Sequence, residues 1–321
     1  MESPDLHVLA VDWSSSQKAG AEKLDSIRTK AELNPQVGSL THRVSSLDEA
    51  GVREVLDEWP PAPKGSEKRE PPLLVALHAC GDLTPDSIKA FTNFSRSTSS
   101  SETLSSKPRA VFVGCCYNLQ TPEFFPLSHH ISTLLPSLSL PSSPISLAHL
   151  RLTPQSPPTW HHSSSSTTNF LSATSKLAYR SRLEAELEFN GFGTEIGERK
   201  VGRIGDCKEW KEYRGKAMSR MEAREGKNEI SECKFGEEGE DEEEESWREG
   251  LFYLRVWWTI RSWLGPPMES LVVVDRYLLL LEGLYGVGLR ERRGEESQRV
   301  EMVNLFDQST GSLRNIALVV R

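Results

Sequence analysis

Two short apolar runs constrain this chain more than anything else in it. Leu73-Leu74-Val75-Ala76-Leu77 ends abruptly in His78-Ala79-Cys80-Gly81-Asp82-Leu83, and Ala110-Val111-Phe112-Val113 ends in Gly114-Cys115-Cys116-Tyr117. An apolar run that stops at small, polar and sulfur-bearing residues is how a buried parallel strand reads when it delivers a loop to a binding crevice. Between the two runs, Thr84-Pro85-Asp86 with Ile88, Ala90 and Phe91 predicts a helix, with Thr84 as its cap and Pro85 in its first position.

The same alternation extends along the chain. Leu6–Val11 reads as a strand ending at Asp12, and Ala19, Ala21, Leu24 and Ile27 recur at helical spacing after Ser14. His42-Arg43-Val44 is a further strand. Asp48 to Trp59 is a helix stopped by Pro60 and Pro61. Phe170 to Phe189 has helical periodicity, and Arg199 to Tyr213 mixes loop and helix. Leu251 to Leu264 and Met268 to Leu284 are apolar helices separated by Gly265-Pro266-Pro267. Trp257, Trp258 and Trp263 lie at helical spacing in apolar surroundings and read as core. Val300 to Phe306 and Asn315 to Val320 predict a closing antiparallel hairpin. The expected fold is α/β: a mostly parallel sheet with helices on both faces and a C-terminal antiparallel hairpin. It is read as a single domain over 1–321, interrupted by flexible inserts near 95–107, 136–168 and 222–248, where Ser, Pro or acidic residues crowd out apolar ones.

Composition narrows the class. With 321 residues, 37% of them hydrophobic, the chain can bury a substantial core. A net charge of -8 opposes a globally basic nucleic-acid binder, although much of the acidity sits in Glu237 to Glu245, read as a solvated loop. Five cysteines, two of them adjacent, do not form the framework of a secreted disulfide scaffold. An acidic N-terminus without a signal-peptide pattern, and no apolar run long enough to span a bilayer, predict an intracellular protein, cytoplasmic or nuclear.

Several residues at the two strand ends are candidates for chemistry. His78 is either a base or a satisfied buried residue; Asp82 is either a hydrogen-bond acceptor for a ligand or, like Thr84, a helix cap. Cys115, Cys116 and Tyr117 suit a loop lining an acceptor pocket, with Tyr117 stacking on a planar substrate, or a simply buried loop. Adjacent cysteines lack the spacing of a zinc knuckle, and adding Cys80 gives three thiols with no clear fourth ligand, so no metal is expected. A thiol nucleophile lacks a nearby base. His161-His162, in a Ser-rich stretch, is read as incidental.

Taken in order, the blocks Val11-Asp12-Trp13-Ser14, Leu77-His78-Ala79-Cys80-Gly81-Asp82-Leu83, Val113-Gly114-Cys115-Cys116-Tyr117, Val274-Asp275-Arg276, Leu305-Phe306-Asp307 and Arg314-Asn315-Ile316-Ala317-Leu318 resemble one family of S-adenosylmethionine-dependent methyltransferases. It is the family that includes methyltransferase-like protein twenty-five and the ribosomal RNA adenine dimethylase domain-containing protein. The resemblance covers most of 1–135 and 170–321 in outline. It implies a Rossmann-like methyltransferase fold and S-adenosylmethionine as cofactor. Asp12 would accept hydrogen bonds from the ribose, Ala79, Cys80 and Gly81 would border the cofactor, and His78, Asp82 and Tyr117 would serve catalysis. In that family a first strand with a glycine-rich turn precedes the equivalent of Leu6–Asp12, and this sequence begins after it. The expectation is therefore a fold lacking its first strand, in an incomplete reading of a longer product; the alternative is a short, catalytically inactive binding or scaffold protein. RNA or protein is the expected methyl acceptor, RNA being suggested by the family's names alone, since no basic groove with interleaved aromatics argues it physically.

Overall fold

A computed structural model describes residues 7–30, 39–59, 69–99, 104–155, 160, 162–190, 204–225, 240–288, 298–305 and 316–321. Its first elements in chain order are β1 (His7–Asp12), α1 (Ser15–Lys30), β2 (Ser39–Val44), α2 (Glu49–Glu58), β3 (Leu73–Ala79), α3 (Leu83–Ser99) and β4 (Arg109–Gly114). Then follow the helices α4 (His129–Ser137), α5 (Leu147–Leu150), α6 (Ser164–Phe189), α7 (Trp210–Glu225), α8 (Glu240–Ser262) and α9 (Gly265–Tyr285), and last the strands β5 (Val300–Asn304) and β6 (Ile316–Val320). Where the sequence suggests one interrupted domain, the chain divides into two compact units: residues 1–155 with 265–321, and 156–264.

The first unit holds all the described strands, in two sheets. β1 and β2 pair in parallel, as expected of strands joined through a crossover helix. The other sheet has the order β3-β4-β6-β5. β3 and β4 are parallel, whereas β6 is antiparallel to both β4 and β5. The closing pair is thus antiparallel as expected, and its last strand enters between β4 and β5. Helices α3 and α9 pack beside this sheet, burying Ile88, Phe91, Val272, Val273 and Leu280 with Phe112, Leu318 and Val320. Phe91 and Phe112 meet edge to face with centroids 5.9 Å apart, and each fully buried ring contributes about 2–3 kcal/mol. Val52 and Leu56 of α2 close over Ala90 and Phe94 of α3. Asp48 caps α2 by accepting from the Gly51 amide at 2.8 Å, and the helix stops at Trp59 before two prolines.

One face of β3 stays open. Leu74 and Ala76 pack on the core, while the alternating Leu73, Val75 and Leu77 are 59%, 48% and 62% exposed. β3 is also the terminal strand of its sheet, so an apolar edge and an apolar face coincide.

The second unit is a helical assembly of α6, α7 and α8. Tyr179, Leu183 and Leu187 of α6 bury against Tyr213, Ala217, Met218 and Met221 of α7 and against Ile204. Glu186, fully buried, accepts from Arg214 through Nε, whose one N–H is shared between the two carboxylate oxygens at 2.7 and 3.0 Å, and through Nη2, which offsets the cost of burying the carboxylate.

Several sequence expectations need correction. The stretches read as flexible inserts carry ordered structure: α3 runs on to Ser99, and the buried Ser95 donates to Gln298 Oε1 at 2.8 Å. Ile145, Leu150 and Leu152 are buried within 136–168, where a few apolar anchors suffice to order a Ser- and Pro-rich stretch, and Ser163 caps α6. α7 extends to Glu225 and α8 begins at Glu240, so the later half of the acidic run is helical instead of a loop. Residues 100–103 and 226–239 and His161 lie outside the described residues. Thr84 is inside α3 and does not cap it; its hydroxyl donates to the Ala79 carbonyl at 2.6 Å. Trp257 and Trp263, read as core, are more than half exposed. Among the described residues no helix is long and apolar enough to cross a membrane.

Candidate functional site

The ends of β3 and β4 are built from backbone irregularities that the sequence dictates. Leu77 pairs with Val113 and Ala79 with Gly114, so His78 is one residue too many for the ladder. It takes φ +54°, in the left-handed region that costs a non-glycine residue about 1–2 kcal/mol, and such a bulge redirects a side chain. The His78 side chain is consequently exposed, which removes the reading of a satisfied buried histidine. Gly81 has φ +55°, and a Cβ there would stand 2.6 Å from the Leu119 carbonyl oxygen. Glycine is required at that point both by conformation and by the close approach of the neighbouring loop.

That neighbouring loop, which follows β4, is fastened to the β3 turn. The Gly81 amide donates to the Cys116 carbonyl at 3.2 Å. Asp82 accepts from the Thr121 hydroxyl at 2.6 Å and from the Thr121 amide at 3.0 and 3.3 Å. Both carboxylate oxygens are engaged in holding the loops together, which makes Asp82 a positioning residue.

Beneath the two loops lies Arg276 of α9, only 2% exposed. Its Nη2 donates to the Gly81 carbonyl and to Gln120 Oε1, each at 3.0 Å, and its guanidinium lies 4.6 Å from the centroid of the Tyr117 ring. Burial pushes its pKa down to about 10, which still leaves it charged at neutral pH. Nε and Nη1 are buried without a hydrogen-bond partner. Tyr117 is 3% exposed and donates to the Gly114 carbonyl at 3.2 Å. The expected stacking on a planar substrate is thus replaced by stacking against Arg276 in the core.

The residue before it on α9, Asp275, is buried and accepts from the amides of Leu127 and Ser128, at 2.8 and 2.9 Å, and from the Ser128 hydroxyl at 2.7 Å. Burial raises its pKa despite those bonds. Two turns further along the same side of α9, Glu282 accepts from the amides of His129 and His130, at 2.8 and 2.9 Å, and bonds His130 Nδ1 at 2.6 Å. Burial works to raise its pKa too, but the bonds from His129 and His130 together outweigh it and hold the carboxyl below its ordinary range.

The three cysteines meet between the fastened loops. The sulfurs of Cys80, Cys115 and Cys116 all lie within 4.8 Å of one another, Cys80 and Cys115 at 3.0 Å and Cys115 and Cys116 at 3.7 Å. Adjacent residues of a strand point to opposite faces, but Cys116, at φ −92° and ψ 69°, has left strand geometry, so both thiols reach the same place. Burial, with the neighbouring Cys80 and Cys116, pushes the Cys115 thiol up to about 12, far from the lowered values of nucleophilic cysteines.

Asp12 stands apart from this group, at the end of β1 in the other sheet. Its Oδ1 accepts from the Ser14 amide at 2.8 Å, and its carbonyl accepts from Ser45 at 3.0 Å, joining the ends of β1 and β2. The structure thus brings together Ala79, Cys80, Gly81, Asp82, Cys115, Cys116 and Tyr117, with His78 exposed at their rim. The chemistry on offer is an outward-facing imidazole beside a half-buried trio of thiols. Sequence reasoning missed the roles of Arg276, Gln120 and Thr121. The one available signal was the pair Asp275-Arg276 inside an apolar helix, since charges in such a run are rarely buried without a purpose. No family model, curated protein or solved structure matches the chain.

Proposed function

We propose that the first unit is an S-adenosylmethionine-dependent methyltransferase fold of Rossmann-like type, with its crevice at the ends of β1, β3 and β4. The observation that carries this reading is the strand order β3-β4-β6-β5 with β6 reversed, beside a separate parallel pair β1-β2. One parallel strand between β1 and β3 would join the two sheets, and no described residue fills that position. The terminal place of β3 in its sheet supports it, since its outer backbone edge is where such a strand would pair.

The residues present fit the cofactor in part. Asp12, half-buried at a strand end, would accept from ribose hydroxyls, and the half-buried Cys80 would border the adenosyl group, whereas Ala79 is buried, with its carbonyl taken by the Thr84 hydroxyl, and does not reach it. Gly81 does not serve the cofactor in this reading, because its close approach is taken up by Leu119. When bound, the cofactor would supply an electrophilic methyl group, which passes to the acceptor nucleophile as its carbon–sulfur bond breaks and the sulfonium leaves as a neutral thioether. The chain's own part is to orient the acceptor and to take its proton, for which the exposed His78 imidazole is the available base. Cys115 and Cys116 line the acceptor side, and the acceptor is a group on RNA or protein.

A second reading, a catalytically inactive binding protein, is favoured by the open face of β3. Calorimetric titration of the folded 321-residue chain with S-adenosylmethionine separates the two. Binding that weakens by about 10–100-fold in Asp12→Ala, the loss expected for hydrogen bonds to a charged group, supports the enzyme. A folded chain that binds no cofactor overturns the enzyme reading for this chain, in favour of the binding protein or of a fragment of a longer enzyme.

A further inference from the structure

We propose that Cys80, Cys115 and Cys116 form a binding site for one thiophilic d10 cation, zinc(II) being the natural probe, with the fourth coordination position open. The inference concerns the same three cysteines that the methyl-transfer reading places at its crevice, but it rests on their geometry alone, and its test reads metal and thiols without methyl transfer. Zinc bound to thiolates at about 2.3 Å in tetrahedral geometry requires sulfurs about 3.8 Å apart. Cys115 and Cys116 already stand at 3.7 Å, and all three sulfurs lie within 4.8 Å, so a rotation of the Cys80 side chain completes the set. Soft thiolates select such a cation over hard ones.

The surroundings are those of a built site. The ligands sit on two loops fastened by the Gly81 amide to the Cys116 carbonyl, and by Asp82 to Thr121. Gly81, in its left-handed conformation, has no room for a side chain, so the turn carrying Cys80 is fixed by more than its own propensity. Three thiolates and a divalent cation sum to one negative charge, and the buried guanidinium of Arg276, which donates to the Gly81 carbonyl, is the compensating charge nearby. The sequence argues against a metal on two grounds, that no cysteine pair is separated by two residues and that three thiols have no clear fourth ligand, and the second is met here by leaving the fourth position open. The first criterion applies to a single knuckle, whereas here the strand pairing of β3 with β4 does the assembling.

The test uses the reduced, full-length chain, stripped by a chelator and then dialysed against zinc chloride. Metal content is measured by plasma mass spectrometry, and thiol alkylation is mapped by peptide with and without zinc. The expected result is one zinc per chain, with alkylation of Cys80, Cys115 and Cys116 slowed about tenfold or more and that of Cys207, in the other unit, unchanged. Cys115→Ser and Cys116→Ser should each lose the ion while Cys207→Ser keeps it. Because the alkylation pattern is read on the unsubstituted chain, a variant that fails to fold does not decide the matter. No retained zinc, or zinc that leaves the three thiols alkylating at their unloaded rates, overturns the site.

Discussion

Gly81 is where backbone conformation and packing coincide most tightly. Its φ of +55° costs any L side chain about 1–2 kcal/mol, and a Cβ placed 2.6 Å from a backbone oxygen forces the loop carrying Leu119 to move. That loop also carries Thr121, whose bonds to Asp82 depend on its position, so the strain spreads to a second contact. Gly81→Ala is expected to destabilise the first unit by about 2–4 kcal/mol. The check is the urea midpoint at constant slope; a shift smaller than about 0.5 kcal/mol means the loop relaxes freely and is not the fixed wall described above. Arg276 sets the limit on how far such residues are legible. Its partners Gly81, Tyr117 and Gln120 lie more than a hundred residues away in sequence, and no local pattern announces a guanidinium beneath two loops.

Helix α4 shows how one element is anchored by another. Glu282 of α9 accepts the amides of His129 and His130 in its first turn, where unpaired N–H groups and the helix dipole favour a negative charge. Its carboxyl pKa is depressed on folding, so its contribution is present above the unfolded value and lost as pH falls through the folded one. Glu282→Gln is expected to cost about 1–3 kcal/mol at pH 7 and to flatten the loss of stability between pH 5 and pH 3. Urea unfolding at these three pH values tests it, and an unchanged acid slope would rule out Glu282 as the titrating group. Among elements, what the sequence disclosed followed density of apolar signal. β3 and β4 were legible because each is an apolar run halted by a turn, and α2 because Val52, Val55 and Leu56 share a face before two prolines. α5 was not, because four residues with one buried leucine, Leu150, in a Ser- and Pro-rich stretch carry no periodicity. The start of α3 was misplaced because Thr84, a good cap by type, finds a better acceptor in the Ala79 carbonyl. The meeting of Cys80 with Cys115 was implicit in pairing two parallel strands, whereas the convergence of Cys116 depends on a single dihedral step after β4.

The division of the whole chain into two units has a covalent geometry that makes it testable. Residues 156–264 leave and re-enter the first unit between Gln155 and Gly265, and those two positions nearly touch: a Cβ on Gly265 would stand 2.4 Å from the Gln155 carbonyl oxygen. A segment whose ends meet in this way closes as a surface loop, and the entropy of closure grows only slowly with its length. The second unit also has its own core, around Tyr179, Leu183 and Tyr213, with the buried Glu186 satisfied by Arg214 inside the same unit. Replacing 156–264 by a linker of a few glycines is therefore expected to leave a first unit that unfolds cooperatively, with stability changed by about 1–2 kcal/mol and a smaller urea slope in proportion to the surface removed. The chain offers a clean signal for this, since Trp13 and Trp59 are the tryptophans that remain and their fluorescence reports on the first unit alone. A shortened chain that shows no cooperative transition would mean that the strands cannot hold without the helical unit. In that case the fold would have to be treated as one cooperative body, whatever its contacts suggest.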